Sequence, residues 1–337
     1  MNRHLEDILN QPRSLSRVID HQFGDGAADV QKAAAAIREA RNVVFSGMGS
    51  SLFAAIPAAC MLSDNGIIAE AVESSELLYY RRGLVGRGTV VVLISRSGDS
   101  VEVTKLLPVL REAGANTIGV TNTEDSTLGG DQQNRILLRS DADQMVAIQT
   151  YTATVIVLLL LAMEALGRRP TAARCKAVIP TLQNTIDAEM RRTDDWVEFI
   201  ADARAIYLLG RGPSMASVYE SALMFNEAAR TPSVAMSSAQ FRHGPVEVVD
   251  DSFRAFVFAS HQPTIELDRA LAADLKGLGA RVETCGVLIE VTPFQPVVEI
   301  IPVQFAACRL AESKGITPGQ FRYAGQVTTA ESGFRGV

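Results

Sequence analysis

The chain has 337 residues, 47% hydrophobic and 21% charged, a globular composition with room for two domains of ordinary size. Its net charge of −6 argues against a nucleic-acid binder, whose target needs a basic face, though not against a small anion held in a local nest of donors. The four cysteines (Cys60, Cys175, Cys285, Cys308) and four histidines are scattered without disulfide or metal-ligand spacing, so no metal and no cofactor is expected, and the cysteine usage fits a reducing cytoplasm.

In chain order, the polar N-terminus has no apolar stretch of signal-peptide type, and the first forty residues read as amphipathic helix. Asn42-Val-Val-Phe45 predicts a short buried strand, ended by Ser46-Gly-Met-Gly-Ser-Ser51 and followed by an alanine-rich helix. Thr89-Val-Val-Val-Leu-Ile94 predicts a second strand, ended by Ser95-Arg-Ser-Gly-Asp-Ser100, with a helix running to about Glu112. Gly114-Ala-Asn breaks that helix before a third strand, Thr117-Ile-Gly-Val-Thr121. The longest apolar stretch, Val155 to Met163, is too short to span a bilayer and reads as a buried helix, so no membrane partner is expected. Strands alternating with helices imply an α/β fold: a parallel sheet flanked by helices on both faces.

Gly167-Arg-Arg-Pro170 interrupts this pattern, and a helical connector runs to about Ile200. The pattern then restarts. Ala205-Ile-Tyr-Leu-Leu209 leads into Gly210-Arg-Gly-Pro-Ser214, which parallels Gly47–Ser51 at an offset of 163 residues. Phe253–Ser260 parallels the strand ending at Ser95, and Gly279-Ala280 parallels Gly114-Ala115, both at 165. Internal duplication explains these offsets, although unrelated α/β units also share such features. The expected division is 1–170 for an N-terminal helix and first domain, 171–200 for the connector and 201–337 for the second domain. Where the first copy has Arg96-Ser-Gly-Asp-Ser100, the second has His261-Gln-Pro-Thr-Ile265. Only the first is equipped to hold an anion in this way.

Ser95–Ser100 follows a buried strand and opens a helix, which places backbone N–H groups at the positive end of a helix dipole. Its three serines add hydroxyls, and Gly98 permits close backbone approach. These residues make a phosphate cradle, and they equally suit an ordinary capped helix. Gly47-Met-Gly-Ser-Ser51 lacks the third glycine of a dinucleotide fingerprint, because position 52 is leucine. Further along, Glu220, Leu223, Met224 and Glu227 share one helix face. A carboxylate held beside apolar groups suits proton transfer. It could instead pair with an arginine such as Arg211, the reading preferred for Glu220. His243, in Gln240-Phe-Arg-His-Gly-Pro245, sits at a turn, where it is either simply exposed or presented as an acid/base.

These residues resemble the two-domain SIS (sugar isomerase) family, in particular the isomerase half of glutamine–fructose-6-phosphate amidotransferase and the family's deaminases, deglycases and isomerases. The resemblance runs from Ile8-Leu-Asn-Gln-Pro12 to Val327-Thr-Thr-Ala-Glu331. Its most specific part is Leu208-Leu-Gly-Arg-Gly212, Glu220, Glu227 and Phe241-Arg-His-Gly-Pro245. It implies two flavodoxin-like domains related by duplication. It implies that Ser51, Ser95, Ser97 and Ser100 hold a sugar phosphate, that Arg96 offers its backbone, and that Gly49, Ser50, Val146 and Gln326 are further substrate contacts. It also implies that Glu227 moves protons between C1 and C2, and that His243, supplied by a neighbouring subunit, assists ring opening, which requires at least a homodimer. Departures from the family bear on the reaction. No glutaminase domain is expected, so glutamine-dependent synthesis is not. The family's Schiff-base lysine is Gln326 here, a second lysine is Met224, and a Thr/Ser-Lys pair reads Ile148-Gln149. Glutamine cannot form an imine with a ketose. The expected function is therefore acid/base chemistry on a hexose 6-phosphate or its amino or Amadori derivative, by isomerisation, deamination or deglycation. The alternative is a non-catalytic phosphosugar sensor.

Overall fold

The computed structural model describes residues 2–130, 134–201, 203–286, 293–325 and 327–333. The chain forms two compact units that are not contiguous in sequence. The first unit contains Arg13–Ala142, Gln149–Lys176 and Phe321–Val337; the second contains Met1–Pro12, Asp143–Ile148 and Ala177–Gln320.

In the first unit β1 (Asn42–Gly47), β2 (Ala69–Glu73), β3 (Thr89–Ile94), β4 (Asn116–Thr121) and β5 (Asn134–Leu137) form a parallel sheet in the order β2-β1-β3-β4-β5. All six residues of β3 are buried, as expected of an apolar, β-branched run with helices on both faces. On one face Leu106, Leu107 and Leu110 of the Val101–Ala113 helix pack with Val44, Val91 and Leu93. Burying each such side chain contributes roughly 1.5–3 kcal/mol. The apolar stretch expected to be a buried helix lies within Gln149–Ala165, which is buried along nearly its whole length and packs on the Ala27–Glu39 and Ile56–Asp64 helices. Among the described residues no helix is long and apolar enough to cross a membrane.

Among the described residues the second unit repeats the topology with four strands. β6 (Ile206–Gly210), β7 (Ser233–Ser237), β8 (Arg254–Phe258) and β9 (Arg281–Cys285) are parallel in the order β7-β6-β8-β9. β8 and β9 start 165 residues after β3 and β4, which is the expected offset. Matching order and spacing make the two sheets copies of one design, and the β2-β1-β3-β4-β5 order is the flavodoxin-like one.

Helix Arg3–Phe23 begins in the second unit, where Gln11 Nε2 donates to Gln304 Oε1 at 2.8 Å. His4, two turns earlier, is fully buried, and burial lowers its pKa to about 4 against the weaker opposing effects of a backbone hydrogen bond at Gln304 and of Glu312. The unfolded chain therefore takes up this proton near pH 6.5, while the folded chain refuses it until about pH 4. Stability contributed above pH 6.5 is lost as pH falls through that window, by about 3 kcal/mol for the full shift. Urea titrations from pH 7 to 4 should show this slope in the wild type and a shallower one in His4→Gln. Parallel slopes would exclude His4 as the source.

Candidate functional site

In a sheet of this order the direction of winding reverses between β1 and β3, and ligands of open α/β sheets bind in the crevice beyond the strand C-termini at that point. The register pairs Ser46 of β1 with Leu93 of β3, so the loops leaving these strands emerge side by side. They are Gly49-Ser50-Ser51, where a short helix (Ser50–Phe53) starts, and Ser95–Ser100. Topology therefore brings together seven expected ligand-binding residues: Gly49, Ser50, Ser51, Ser95, Arg96, Ser97 and Ser100.

The serine loop is tightly made. Ser95 is 2% exposed, and its backbone N–H donates to the Val120 carbonyl at 3.0 Å. Its hydroxyl lies 3.0 Å from Ser100 Oγ and 3.5 Å from Ser97 Oγ, and it accepts the Gly98 N–H at 3.1 Å. Ser100 is the N-cap of the Val101–Ala113 helix, yet its side chain makes no cap bond. It turns to Ser95, which leaves the first turn of a 13-residue helix uncapped by its own N-cap. Three hydroxyls and a helix N-terminus thus converge at one point. The first turn also carries the buried Glu102, so an arriving anion must be held by neutral donors rather than by a general positive field.

A second layer fixes the loop. The Arg96 carbonyl accepts from Asn122 N (3.1 Å), Thr121 Oγ1 (3.1 Å) and Thr123 Oγ1 (3.3 Å). Asp99 Oδ1 accepts the Thr127 N–H at 2.9 Å, so this carboxylate is engaged by the turn after β4. Gly98 has φ +74, and a Cβ there would fall 1.9 Å from Ser126 Oγ. Thr123, Asp99 and Ser126 are the supporting residues that the sequence did not single out. The turn-forming run Asn122-Thr-Glu-Asp-Ser126 directly after a strand is the signal that was available.

The C-terminal segment also reaches this loop's helix within the same unit. The Thr328 carbonyl accepts the Val101 N–H at 3.0 Å. Glu331 pairs with Lys105 and accepts from the Tyr79 hydroxyl at 2.8 and 2.9 Å, and these partners hold its carboxyl below the usual range. Gln326 lies outside the described residues.

The remaining expected residues belong to the second unit. Glu227 is half-buried in the last turn of the Met215–Ala228 helix, with Leu223 half-buried and Met224 buried one turn before it. His243 is exposed in the turn after the short helix Ser238–Phe241. Val146 is buried in the 143–148 loop, as is Ile148. Arg211, a candidate partner for the helix glutamates, pairs with Asp268. Its Nε donates to Asp268 Oδ1 at 3.2 Å, because Asp268 is buried beside it and needs a cation.

The crevice of the second sheet has a different character. Ser214 Oγ and Ser217 Oγ donate to the fully buried Glu299 carboxylate at 3.1 and 2.7 Å. His261 stands where the first copy has Arg96, and burial lowers its pKa against the pull of Glu299. Hydroxyls already committed to a carboxylate do not form an anion cradle.

Residues 36–164, which include the whole first sheet, match the SIS domain family. Over 97% of its length the chain is 28% identical to glutamine–fructose-6-phosphate aminotransferase (isomerizing) from Pyrobaculum aerophilum, and over 96% it is 27% identical to an Arabidopsis thaliana enzyme of the same name. It spans a little over half of these relatives, 57% and 53% of their lengths. Among solved structures, glucosamine-6-phosphate deaminase from Thermotoga maritima superposes with a TM-score of 0.82 at 21% identity, covering 96% of this chain and 99% of that one. Tagatose-6-phosphate ketose/aldose isomerase from Escherichia coli gives 0.79 at 20% identity, covering 94% and 95%. These structures share the fold.

Proposed function

We propose that this SIS-domain protein is a phosphosugar enzyme that moves protons between C1 and C2 of a hexose 6-phosphate or its amino or Amadori derivative. The observation that carries the reading is the serine loop, with the Ser97 and Ser100 hydroxyls each within 3.5 Å of Ser95 Oγ at the N-terminus of a helix whose N-cap side chain is turned away. A phosphate monoester offers oxygen acceptors that match such donors. The relatives' names supply the sugar: fructose 6-phosphate, glucosamine 6-phosphate and tagatose 6-phosphate all carry a terminal phosphate and a C1–C2 centre.

In this reading His243 assists ring opening. Glu227 takes a proton from one carbon, leaving an enediol or enolamine, and returns a proton to its neighbour. No imine to the protein forms, because glutamine and methionine stand where the family has lysines. Without that covalent step the outcome is isomerisation, or C–N cleavage by deamination or deglycation, of which cleavage is preferred. The exposure of His243 supports its service to a neighbouring subunit in a homodimer, and the cysteine usage supports a cytoplasmic setting.

Glucosamine 6-phosphate should raise the melting temperature while glucosamine does not, since a ligand bound only to the native state at a hundred times its Kd stabilises by about 2.7 kcal/mol. Ser97→Ala and Ser100→Ala should each weaken binding by about tenfold or more, the loss of a charge-assisted hydrogen bond. Equal shifts from the phosphorylated and unphosphorylated sugar would rule the loop out as a phosphate site.

A further inference from the structure

Within the second unit, the helix that carries Glu227 ends in a conformation that its neighbours enforce. After Ala228 the chain passes through Arg230, which has φ +48, a region uncommon for a side-chain-bearing residue. Such strain persists where the surroundings over-determine it. Here the surroundings are residues 314–320, which follow the helix Ile301–Ser313. Arg230 Nη2 donates to the Gln320 carbonyl at 2.8 Å, Lys314 Nζ to Thr231 Oγ1 at 2.6 Å, and the Gly319 N–H makes a long bond of 3.4 Å to the Ala228 carbonyl.

Gly319 also faces the 143–148 loop. It has φ +73, and an added Cβ would lie 2.8 Å from Met145 Cβ, 3.3 Å from Val146 Cγ1 and 3.4 Å from Val146 N. One residue therefore touches both the peptide that follows Glu227 and the loop that carries Val146. A larger side chain could enter only by pushing these two apart.

We propose that Gly319, held by Arg230, is a positioning residue that sets the distance between Glu227 and the backbone at Val146. The inference rests on the reading of Glu227 as the proton shuttle and of Val146 as a sugar contact. Proton transfer requires an approach of about 2.6–3.2 Å, and a misplacement on the order of 1 Å costs about a hundredfold in rate. A Cβ at position 319 demands a shift of that order, because ordinary contact with Met145 Cβ begins at 3.4 Å rather than 2.8 Å. Arg230 and Lys314 also complement a helix C-terminus electrostatically, so the test must separate positioning from stability.

The full-length protein is assayed by NMR for solvent deuterium entering C1 or C2 of fructose 6-phosphate and of glucosamine 6-phosphate. Gly319→Ala should lower kcat by about 10- to 100-fold with KM changed less than about threefold, since only the placement of the shuttle moves. Adding Met145→Gly removes the atom met at 2.8 Å but not the strained φ of +73, and should restore part of the rate. Arg230→Gly suits φ +48 but drops the guanidinium; it should lower kcat by about tenfold without lowering the melting temperature. A Gly319→Ala protein that exchanges like wild type overturns the inference, as does a loss that Met145→Gly leaves unrepaired. A wild-type protein that exchanges neither sugar overturns the functional reading and this inference with it; exchange by wild type together with either of the first two results overturns the inference alone.

Discussion

Glu227→Gln is expected to slow proton exchange at C1–C2 of a bound hexose phosphate by about 10²- to 10⁴-fold, the usual contribution of a general acid/base. The substitution keeps size and hydrogen-bonding shape and removes only the capacity to take a proton. The thermal shift with glucosamine 6-phosphate should survive, since the serine loop proposed to hold the phosphate is in the other unit. A fall in kcat with little change in KM is the signature of an interaction made in the transition state. Deuterium exchange followed by NMR measures this without knowledge of the final product. Turnover near the wild-type rate would assign the base elsewhere, and complete absence of exchange in the wild type would favour a phosphosugar sensor.

Gly98→Ala should be the most damaging single change to ligand binding. Its backbone, at φ +74, lies in the left-handed region, which costs a residue with a Cβ about 1–2 kcal/mol. The new carbon would also fall 1.9 Å from Ser126 Oγ and 2.5 Å from Ser126 Cβ, an overlap of the kind that costs a further 1–3 kcal/mol or so. The loop can escape only by giving up the Gly98 N–H bond to Ser95 Oγ, and with it the convergence of the three hydroxyls. The shift from glucosamine 6-phosphate should disappear, and the melting temperature without ligand should fall as well. Adding Ser126→Gly removes the overlap but not the strained φ, so part of the shift should return. An unaltered affinity in Gly98→Ala, read by calorimetry, would mean that the loop geometry is not what binds the phosphate.

The strands legible in the sequence were the interior ones. β1, β3, β4, β6 and β8 are apolar runs buried between helices, and each was expected within a few residues of where it lies. The four strands that were missed, β2, β5, β7 and β9, are the outer strands of each sheet among the described residues. An outer strand carries more polar residues, as in Ala69-Glu-Ala-Val-Glu73 and Arg281-Val-Glu-Thr-Cys285, so its pattern is weak. The serine loop was legible for the opposite reason. A hydroxyl- and glycine-rich run between a strand and a helix has few roles, and its chemistry is local.

The sequence by itself determined the α/β class, the duplication and the place of the serine loop between a strand and a helix, because each depends on residues within a few positions of one another or on a fixed repeat offset. Only the tertiary structure decided that Arg211 belongs to Asp268, that Asp99 and Ser126 brace the loop from the turn after β4, and that Gly319 lies between Ala228 and Met145. These are contacts between segments tens to nearly two hundred residues apart. Burial selects such partners, since a buried carboxylate must take whichever donor the packing brings within reach, and linear spacing carries no record of that choice.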